Sequence, residues 1–164
     1  MYLRLDRVDD GMARTLINKD AVMKQGYFCK IKGLVDPLAK SGVAVDGEAL
    51  EAVALVDEAN ALFAIVAGDG HRYESATDYN FGDIADTKAG EAVRGYILHK
   101  GDVVTVEAVM IDGVASVNAG DKLAVKAGGY TLAKAAGTEK AVVAMVLKKG
   151  IKINGKDMVQ IMFL

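Results

Sequence analysis

The chain has 164 residues, and its 52% hydrophobic and 26% charged content suits one folded domain and argues against global disorder. A formal net charge of -2 argues against nucleic-acid binding, which needs a concentrated basic surface. Cys29 is the only cysteine, which excludes an internal disulfide and a two-cysteine metal site, and its neighbours predict a small buried side chain.

The first residues carry no apolar core of a signal peptide, and every apolar run is shorter than the roughly 18 residues that span a bilayer. We therefore expect a soluble chain, made in a reducing cytoplasm, with no membrane partner.

The N-terminal residues 1–20 predict an extended arm. Tyr2 to Val8 alternates in character and could be an edge strand or an extended arm, and Met12 to Ile17 is a second short extended segment. Chain ends are poorly ordered unless they dock on something, so an arm is the expected behaviour here. The remaining residues, 21–164, predict a single β-rich domain.

Two apolar runs in the first half, Leu50 to Val56 and Ala61 to Ala67, are separated by four mostly polar residues. A hairpin and a single helix are both open, because alanine, leucine and glutamate are good helix formers. The β-branched and aromatic side chains favour strands.

Residues 68–90 predict one long inserted loop that is rich in polar and aromatic side chains. Loops of this length are usually functional or disordered. Tyr73, Tyr79 and Phe81 argue against disorder, because loop aromatics pack either on their own domain or on a neighbouring subunit. The loop's carboxylates and His71 leave open a cation site or an acid–base pair, although a solvated acidic face is the simpler interpretation.

The central stretch from Arg94 to Met110 predicts a strand, a turn at Lys100-Gly101-Asp102 and a longer strand. The second strand has the period-two pattern of a half-buried strand, with its side chains pointing alternately to two sides. Val104, Val106, Ala108 and Met110 lie on one side, and Thr105 and Glu107 lie on the other.

The C-terminal region predicts a hairpin at Asn154-Gly155, because a type I′ turn requires positive φ at both central positions. A two-residue loop there places Lys152 opposite Asp157, a pair worth about 0.2–1 kcal/mol. The last strand, Met158 to Leu164, directs Val159, Ile161 and Phe163 inward, and we expect it to close the sheet.

Four lysines, Lys148, Lys149, Lys152 and Lys156, form a basic cluster around this hairpin. They either protect an edge strand from aggregation or dock on an acidic partner surface.

Together these patterns predict an all-β fold, mainly an antiparallel barrel or sandwich, with the N-terminal arm, the 68–90 loop and at most a minor helix. His71 and His99 are the only histidines, and neither has a metal-ligand spacing. We expect no enzymatic activity, no metal and no cofactor.

Four segments give the chain a resemblance to a known family. They are Arg94-Gly95-Tyr96-Ile97-Leu98-His99-Lys100-Gly101-Asp102-Val103-Val104, Gly120-Asp121-Lys122-Leu123, Gly128-Gly129-Tyr130-Thr131-Leu132 and Met158-Val159-Gln160-Ile161. From about Ala89 onward the chain resembles the capsid decoration, or cement, proteins of tailed bacteriophages. Asp9 to Leu16 has the same character.

The resemblance implies a structural virion protein on the outer surface of an icosahedral shell, made in a bacterial host. It implies the major capsid protein as partner and a homotrimer or other homo-oligomer. The alternatives are a tail or baseplate component, and a metal-dependent hydrolase that uses His71 and the acidic loop.

The candidate contacts with the capsid or within the oligomer fall in three places. These are Tyr2, Leu3, Leu5, Met12 and Leu16 in the arm, Tyr73, Tyr79 and Phe81 in the loop, and Lys148, Lys149 and Lys152 near the last hairpin.

Overall fold

A computed structural model describes residues 3–8, 13–35, 49–67 and 88–164. These residues form two β-sheets, which confirms the predicted all-β fold. Within the same ranges the only helical elements are two 3₁₀ helices, at Ala108–Met110 and Val114–Ser116. Most of the predicted 68–90 loop, residues 68–87, lies outside the described residues.

The smaller sheet is a closed five-stranded barrel with the order β2-β4-β3-β5-β6. Its strands are β2 (Ala13–Ile17), β3 (Phe28–Leu34), β4 (Leu50–Val53), β5 (Phe63–Val66) and β6 (Ala92–Ile97). The two ambiguous apolar runs are therefore strands, as favoured, and a helix is excluded. They do not form a hairpin, because β4 and β5 pair with opposite edges of β3.

The barrel interior is filled by small and medium apolar side chains. The buried cluster consists of Leu16, Met23, Cys29, Ile31, Ala52, Ala64, Val66 and Val93. Cys29 is fully buried, as predicted, and this burial raises the pKa of its thiol to about 12.

Gly95 on β6 allows the barrel wall to close, because the Leu16 side chain lies where a Cβ would be. A Cβ on Gly95 would also approach the carbonyl oxygen of Ile65 to 2.9 Å. A glycine inside a strand often marks such a close approach.

The larger sheet has seven strands in the order β1-β7-β12-β11-β9-β10-β8. They are β1 (Leu3–Arg7), β7 (Val103–Glu107), β8 (Ile111–Asp112), β9 (Lys122–Val125), β10 (Leu132–Lys134), β11 (Val142–Ile153) and β12 (Lys156–Phe163). The expectation that the last strand closes the sheet is wrong, because β12 lies inside it, between β7 and β11.

The hairpin between β11 and β12 confirms the local sequence signal. Asn154 and Gly155 have φ values of 49° and 76°, as a type I′ turn requires. Lys152 stands opposite Asp157, and its Nζ lies 2.7 Å from a carboxylate oxygen of Asp157. Both side chains are exposed, so the pair adds little stability.

The strand after the central turn is shorter than predicted. It ends at Glu107, and the expected continuation to Met110 is a 3₁₀ helix. Thr105 was expected on the outer side, yet it is fully buried because side chains from the neighbouring strands cover it. Val104 and Val106 are buried as predicted.

One apolar core joins the two sheets. Phe28, Ile65 and Tyr96 on the barrel's outer wall pack in the same cluster as residues of β7 and β12. The rings of Phe28 and Phe163 lie 6.1 Å apart between their centroids. Val159, Ile161 and Phe163 all point into this core, as the sequence predicts.

The N-terminal segment that we predicted as an arm is built into both sheets. β1 pairs with β7 at the edge of the larger sheet, and β2 pairs with β4 and β6 in the barrel. Leu3 and Leu5 pack against the shared core, so burial of apolar surface holds the segment down.

The close approach at Gly95 makes the barrel sensitive to one added methyl group. We expect Gly95→Ala to lower the free energy of unfolding by about 1–3 kcal/mol, because the Ile65 carbonyl cannot move without disturbing its strand. Urea denaturation measures the loss. Gly129→Ala is the matched control, because there the nearest atom is 3.6 Å away. Equal effects of the two substitutions would contradict the packing argument.

Candidate functional site

A groove of about 310 Å³ lies where the barrel meets the larger sheet, and we call it the junction groove. Apolar and polar side chains both line it, and most of the surface that it exposes is polar. The apolar lining residues include Phe63, Leu98, Ala141, Val143 and Phe163, and the polar ones include Glu58, Asn60, His99, Lys100 and Lys140. Leu164 also lines it and remains 43% exposed.

The carboxylate of Asp57 fixes one wall of the junction groove. Its Oδ1 accepts hydrogen bonds from the backbone N–H groups of Lys140 and Ala141, both at 2.8 Å. This contact ties the connection between β4 and β5 to the start of β11. Hydrogen bonds to a charged acceptor are stronger than neutral ones, so the wall is held firmly.

The turn between β6 and β7 fixes another part of the groove wall. The N–H of His99 donates to the carboxylate of Asp102 at 2.7 Å, and the N–H of Gly101 donates to the carbonyl of Phe163 at 2.9 Å. Gly101 has a φ of 91°, which favours glycine. The turn therefore places Lys100 at the rim of the groove.

The charges at the rim are unbalanced. Glu58 is paired with Lys30, so its negative charge is already compensated. Lys100 and Lys140 are exposed, and no acidic side chain in the described parts of the chain pairs with either of them. The groove therefore carries two exposed lysines, with the carboxylates of Asp57 and Asp102 hydrogen-bonded in the adjoining walls.

A second link between the sheets lies around Tyr130. Its ring stacks on Tyr27, with centroids 4.9 Å apart and planes 6° apart. Its hydroxyl accepts a hydrogen bond from the amide of buried Asn18 at 2.8 Å, and its carbonyl accepts from the N–H of Phe28 at 3.0 Å. Burial raises the pKa of the Tyr130 hydroxyl, which keeps the phenol neutral. This link and the Asp57 contact hold barrel and sheet in one arrangement.

The candidate contact residues do not come together in one place. Leu3 and Leu5 are partly buried on β1, whereas Leu16 is fully buried inside the barrel and offers no surface to a partner. Tyr2, Met12, Tyr73, Tyr79 and Phe81 lie outside the described residues. None of the described candidates lines the junction groove.

The lysines of the predicted basic cluster have different environments. The ammonium group of Lys149 donates to the carbonyl oxygens of Val114, Ala115 and Val117, at 2.7, 3.1 and 2.9 Å. Lys152 pairs with Asp157, and Lys156 pairs with Glu107. Lys148 is exposed.

The edge strand β1 is fixed by a polar network around Asp6. The Asp6 carboxylate accepts hydrogen bonds from the Thr105 hydroxyl on β7 and, at 3.1 Å, from the amide of Gln160 on β12. Arg4 also pairs with it. Partial burial works to raise the pKa of the Asp6 carboxyl, but these hydrogen bonds outweigh it and hold that pKa below its ordinary value.

Sequence reasoning did not identify the junction groove, Asp57 or Tyr130. His99 precedes the predicted turn, Lys100 begins it, and Tyr130 follows a pair of glycines; these turn signals are the local hints in the sequence. The groove itself arises from four distant segments, so no single stretch carries its signature.

Comparison with protein-family models, curated proteins and solved structures finds no match to this chain. In the described ranges, no group of three or more histidine, cysteine, aspartate or glutamate side chains is placed to hold a metal ion. A membrane-crossing helix is likewise missing from those ranges, since neither helical element there has the length or the apolar character.

The three hydrogen bonds of Lys149 make this lysine structurally distinct from its neighbour. We expect Lys149→Met to lower the free energy of unfolding by about 1–2 kcal/mol, because it removes the ammonium donor that three backbone carbonyls share. Lys148→Met is the control and should stay within about 0.5 kcal/mol. Urea unfolding compares the two, and a larger loss for Lys148→Met would contradict the assignment.

The lowered pKa of Asp6 gives a pH-dependent stability. The carboxylate's contribution is present above the pKa of an unfolded aspartate, about 3.9, and is lost as pH falls through the lower pKa of the folded state. We expect wild type to be more stable than Asp6→Asn near neutral pH, with the difference shrinking in acid. Unfolding curves at a series of pH values measure it, and a constant difference would refute the role of this charge.

Proposed function

We propose that the chain is a structural virion protein that binds the outer surface of a tailed-phage capsid, with the major capsid protein as its partner. Bridging between capsomers would stabilise the shell. The proposal is supported first by the resemblance of the sequence from about Ala89 onward to capsid decoration proteins.

The observation that carries the proposal is where the principal segment of resemblance lies. Arg94 to Val104 comprises most of β6, the turn and the start of β7, so it joins the barrel to the larger sheet. Leu98, His99 and Lys100 of this segment line the junction groove. The segment that resembles the family is thus also the segment that joins the two sheets and forms one wall of the groove.

Stabilisation of a shell follows from mass action. A protein that binds the assembled lattice and not its separated subunits adds its binding free energy to the stability of the lattice. Many copies on a symmetric shell, each bridging two subunits, multiply a modest interface. A body with two cross-linked sheets suits such bridging, because little binding energy is lost in ordering it.

Binding to empty shells tests this proposal. Shells assembled from the major capsid protein encoded in the same genome are mixed with purified protein, sedimented, and melted in a calorimeter. We expect saturable co-sedimentation and a higher shell melting temperature, because only the assembled lattice offers the bridged site.

Separated capsid subunits are the control and should bind weakly or not at all. Binding to purified tails with none to shells would overturn the proposal in favour of a tail or baseplate role. Failure to bind any particle of that phage would overturn it entirely.

A further inference from the structure

We propose that the outer face of the larger sheet, which is the face turned away from the barrel, is the surface that binds the capsid, and that it meets an acidic patch of the shell that also carries apolar side chains. This inference rests on the proposed function and deepens it, because it names the contact surface and the chemistry of its partner. Its support is the order of side chains across the sheet, their exposure and their charges.

One row of side chains crosses five adjacent strands on this face, and we call it the outer stripe. From β1 through β7, β12 and β11 to β9, the strand register aligns Arg7, Val103, Met162, Met145 and Lys122. Neighbouring strands lie about 4.8 Å apart, so the two basic residues stand about 19 Å apart. The outer stripe is therefore positive at both ends and apolar in the centre.

The apolar centre of the outer stripe is not part of the shared core. On β7, Val104 points into that core, so Val103 faces the other way. Ile161 on β12 likewise points into the core, and Met162 after it faces outward. Val103, Met145 and Met162 are half-buried, and none belongs to an apolar cluster of the described residues. Methionine is flexible and enriched in interfaces, so the centre offers an adaptable surface to a partner.

The charges at the two ends of the outer stripe are not compensated within the described parts of the chain. Arg7 and Lys122 are both exposed, and neither forms an ion pair with a described acidic side chain. Asp121, which precedes Lys122, pairs with Lys134 instead. Asp102, which precedes the stripe on β7, is largely buried, and its carboxylate accepts a backbone N–H within its own turn. Both ends can therefore attract an acidic partner.

A second row beside the outer stripe adds to its positive charge. It aligns Arg4, Thr105, Gln160 and Lys148 on β1, β7, β12 and β11. Lys148, one of the contacts predicted from sequence, is exposed and pairs with no described carboxylate. Asp6, whose carboxylate lies in this row, is already paired with Arg4. On a chain of net charge -2, the two rows form a local positive surface, which favours an acidic partner.

The spacing of the outer stripe defines the partner further. Carboxylates about 19 Å apart would meet Arg7 and Lys122 together, and an extended segment of about six residues spans that distance. Apolar side chains between the carboxylates would cover Val103 and the two methionines. Burial of this apolar surface supplies affinity, and the flanking charges set the orientation.

Shell binding by two double variants tests the proposal. The charge variant is Arg7→Glu with Lys122→Glu, and the apolar variant is Met145→Gln with Met162→Gln. At low salt we expect the charge variant to bind empty shells at least about tenfold more weakly than wild type, and the apolar variant at least about fivefold. Raising the salt concentration should weaken binding of wild type more than that of the charge variant.

Lys32→Glu with Lys88→Glu is the matched control, because it makes the same charge change on exposed lysines outside the larger sheet. It should bind shells like wild type, and circular dichroism and melting curves verify that every variant folds. If wild type binds shells and both stripe variants bind equally well, this inference fails while the proposed function stands. If wild type binds no shell, the proposed function itself fails.

Methionine oxidation maps the contact without any substitution. Hydrogen peroxide converts accessible methionines to sulfoxides, and mass spectrometry gives the rate at each position. Met145 and Met162 are half-buried, whereas Met158, on the same strand as Met162, is fully buried and serves as the reference. We expect shell binding to slow oxidation of Met145 and Met162 several-fold and to leave Met158 unchanged. Unchanged rates at both stripe methionines in shell-bound protein would overturn the assignment.

A second copy of the chain is the other candidate occupant, and sedimentation velocity of the protein alone distinguishes it. We expect the oligomeric state to be the same in wild type, the charge variant and the apolar variant. A wild-type oligomer that dissociates in both variants would assign the outer stripe to contacts between copies and overturn its assignment to the shell.

Discussion

The structure depends on the packing of the barrel's outer wall against the larger sheet. A five-stranded barrel with strands of four to seven residues has little core of its own. The alternation of β3 solves this problem, because Phe28 points to the shared core while Cys29 points into the barrel. On β5, Ile65 likewise packs in the shared core, whereas Ala64 and Val66 pack inside the barrel. Each of these strands thus contributes to two cores at once, and neither sheet is complete without the other.

Polar contacts then fix the arrangement that apolar packing alone would leave loose. Apolar burial is non-directional. It therefore favours contact between the two sheets but does not by itself fix their relative orientation. Asp57 and Tyr130 add directional hydrogen bonds across the boundary, one near the groove and one at the Tyr27 stack. The Asp57 contact in particular sets the position of Lys140 and Ala141 in the groove wall.

The features that could be predicted from sequence are those that local residues determine. The Asn154-Gly155 turn, the register that it sets and the inward side of β12 all follow from spacing over fewer than ten residues. The choice between an edge strand and an arm for the N-terminal segment could not be made from sequence, because its strand partners are far along the chain: Arg4 pairs with Thr105, and Leu16 with Val93. The middle position of β12 is likewise a property of the topology, and the alternation of apolar and polar residues along the strand does not predict it.

The candidate site was hidden for a related reason. Lys148 and Lys149 are adjacent and identical in sequence, yet only Lys149 reaches the carbonyls of the second 3₁₀ helix. Spacing cannot distinguish them, because the difference lies in where a distant turn places its oxygens. Lys100 and Lys140 were likewise unconnected until folding brought their two segments to the same rim.

The central position of β12 also determines how the larger sheet assembles during synthesis. Among the described strands, β1 and β7 reach β11, β9, β10 and β8 only through β12. Before β12 emerges from the ribosome, the sheet therefore consists of two separate groups of strands, β1-β7 and β11-β9-β10-β8. Each group has an unpaired edge where β12 will add. Nascent chains with unpaired strands are prone to aggregate. The lysines of β11 would oppose this aggregation, because their positive charge repels other chains while the edge of β11 is still unpaired.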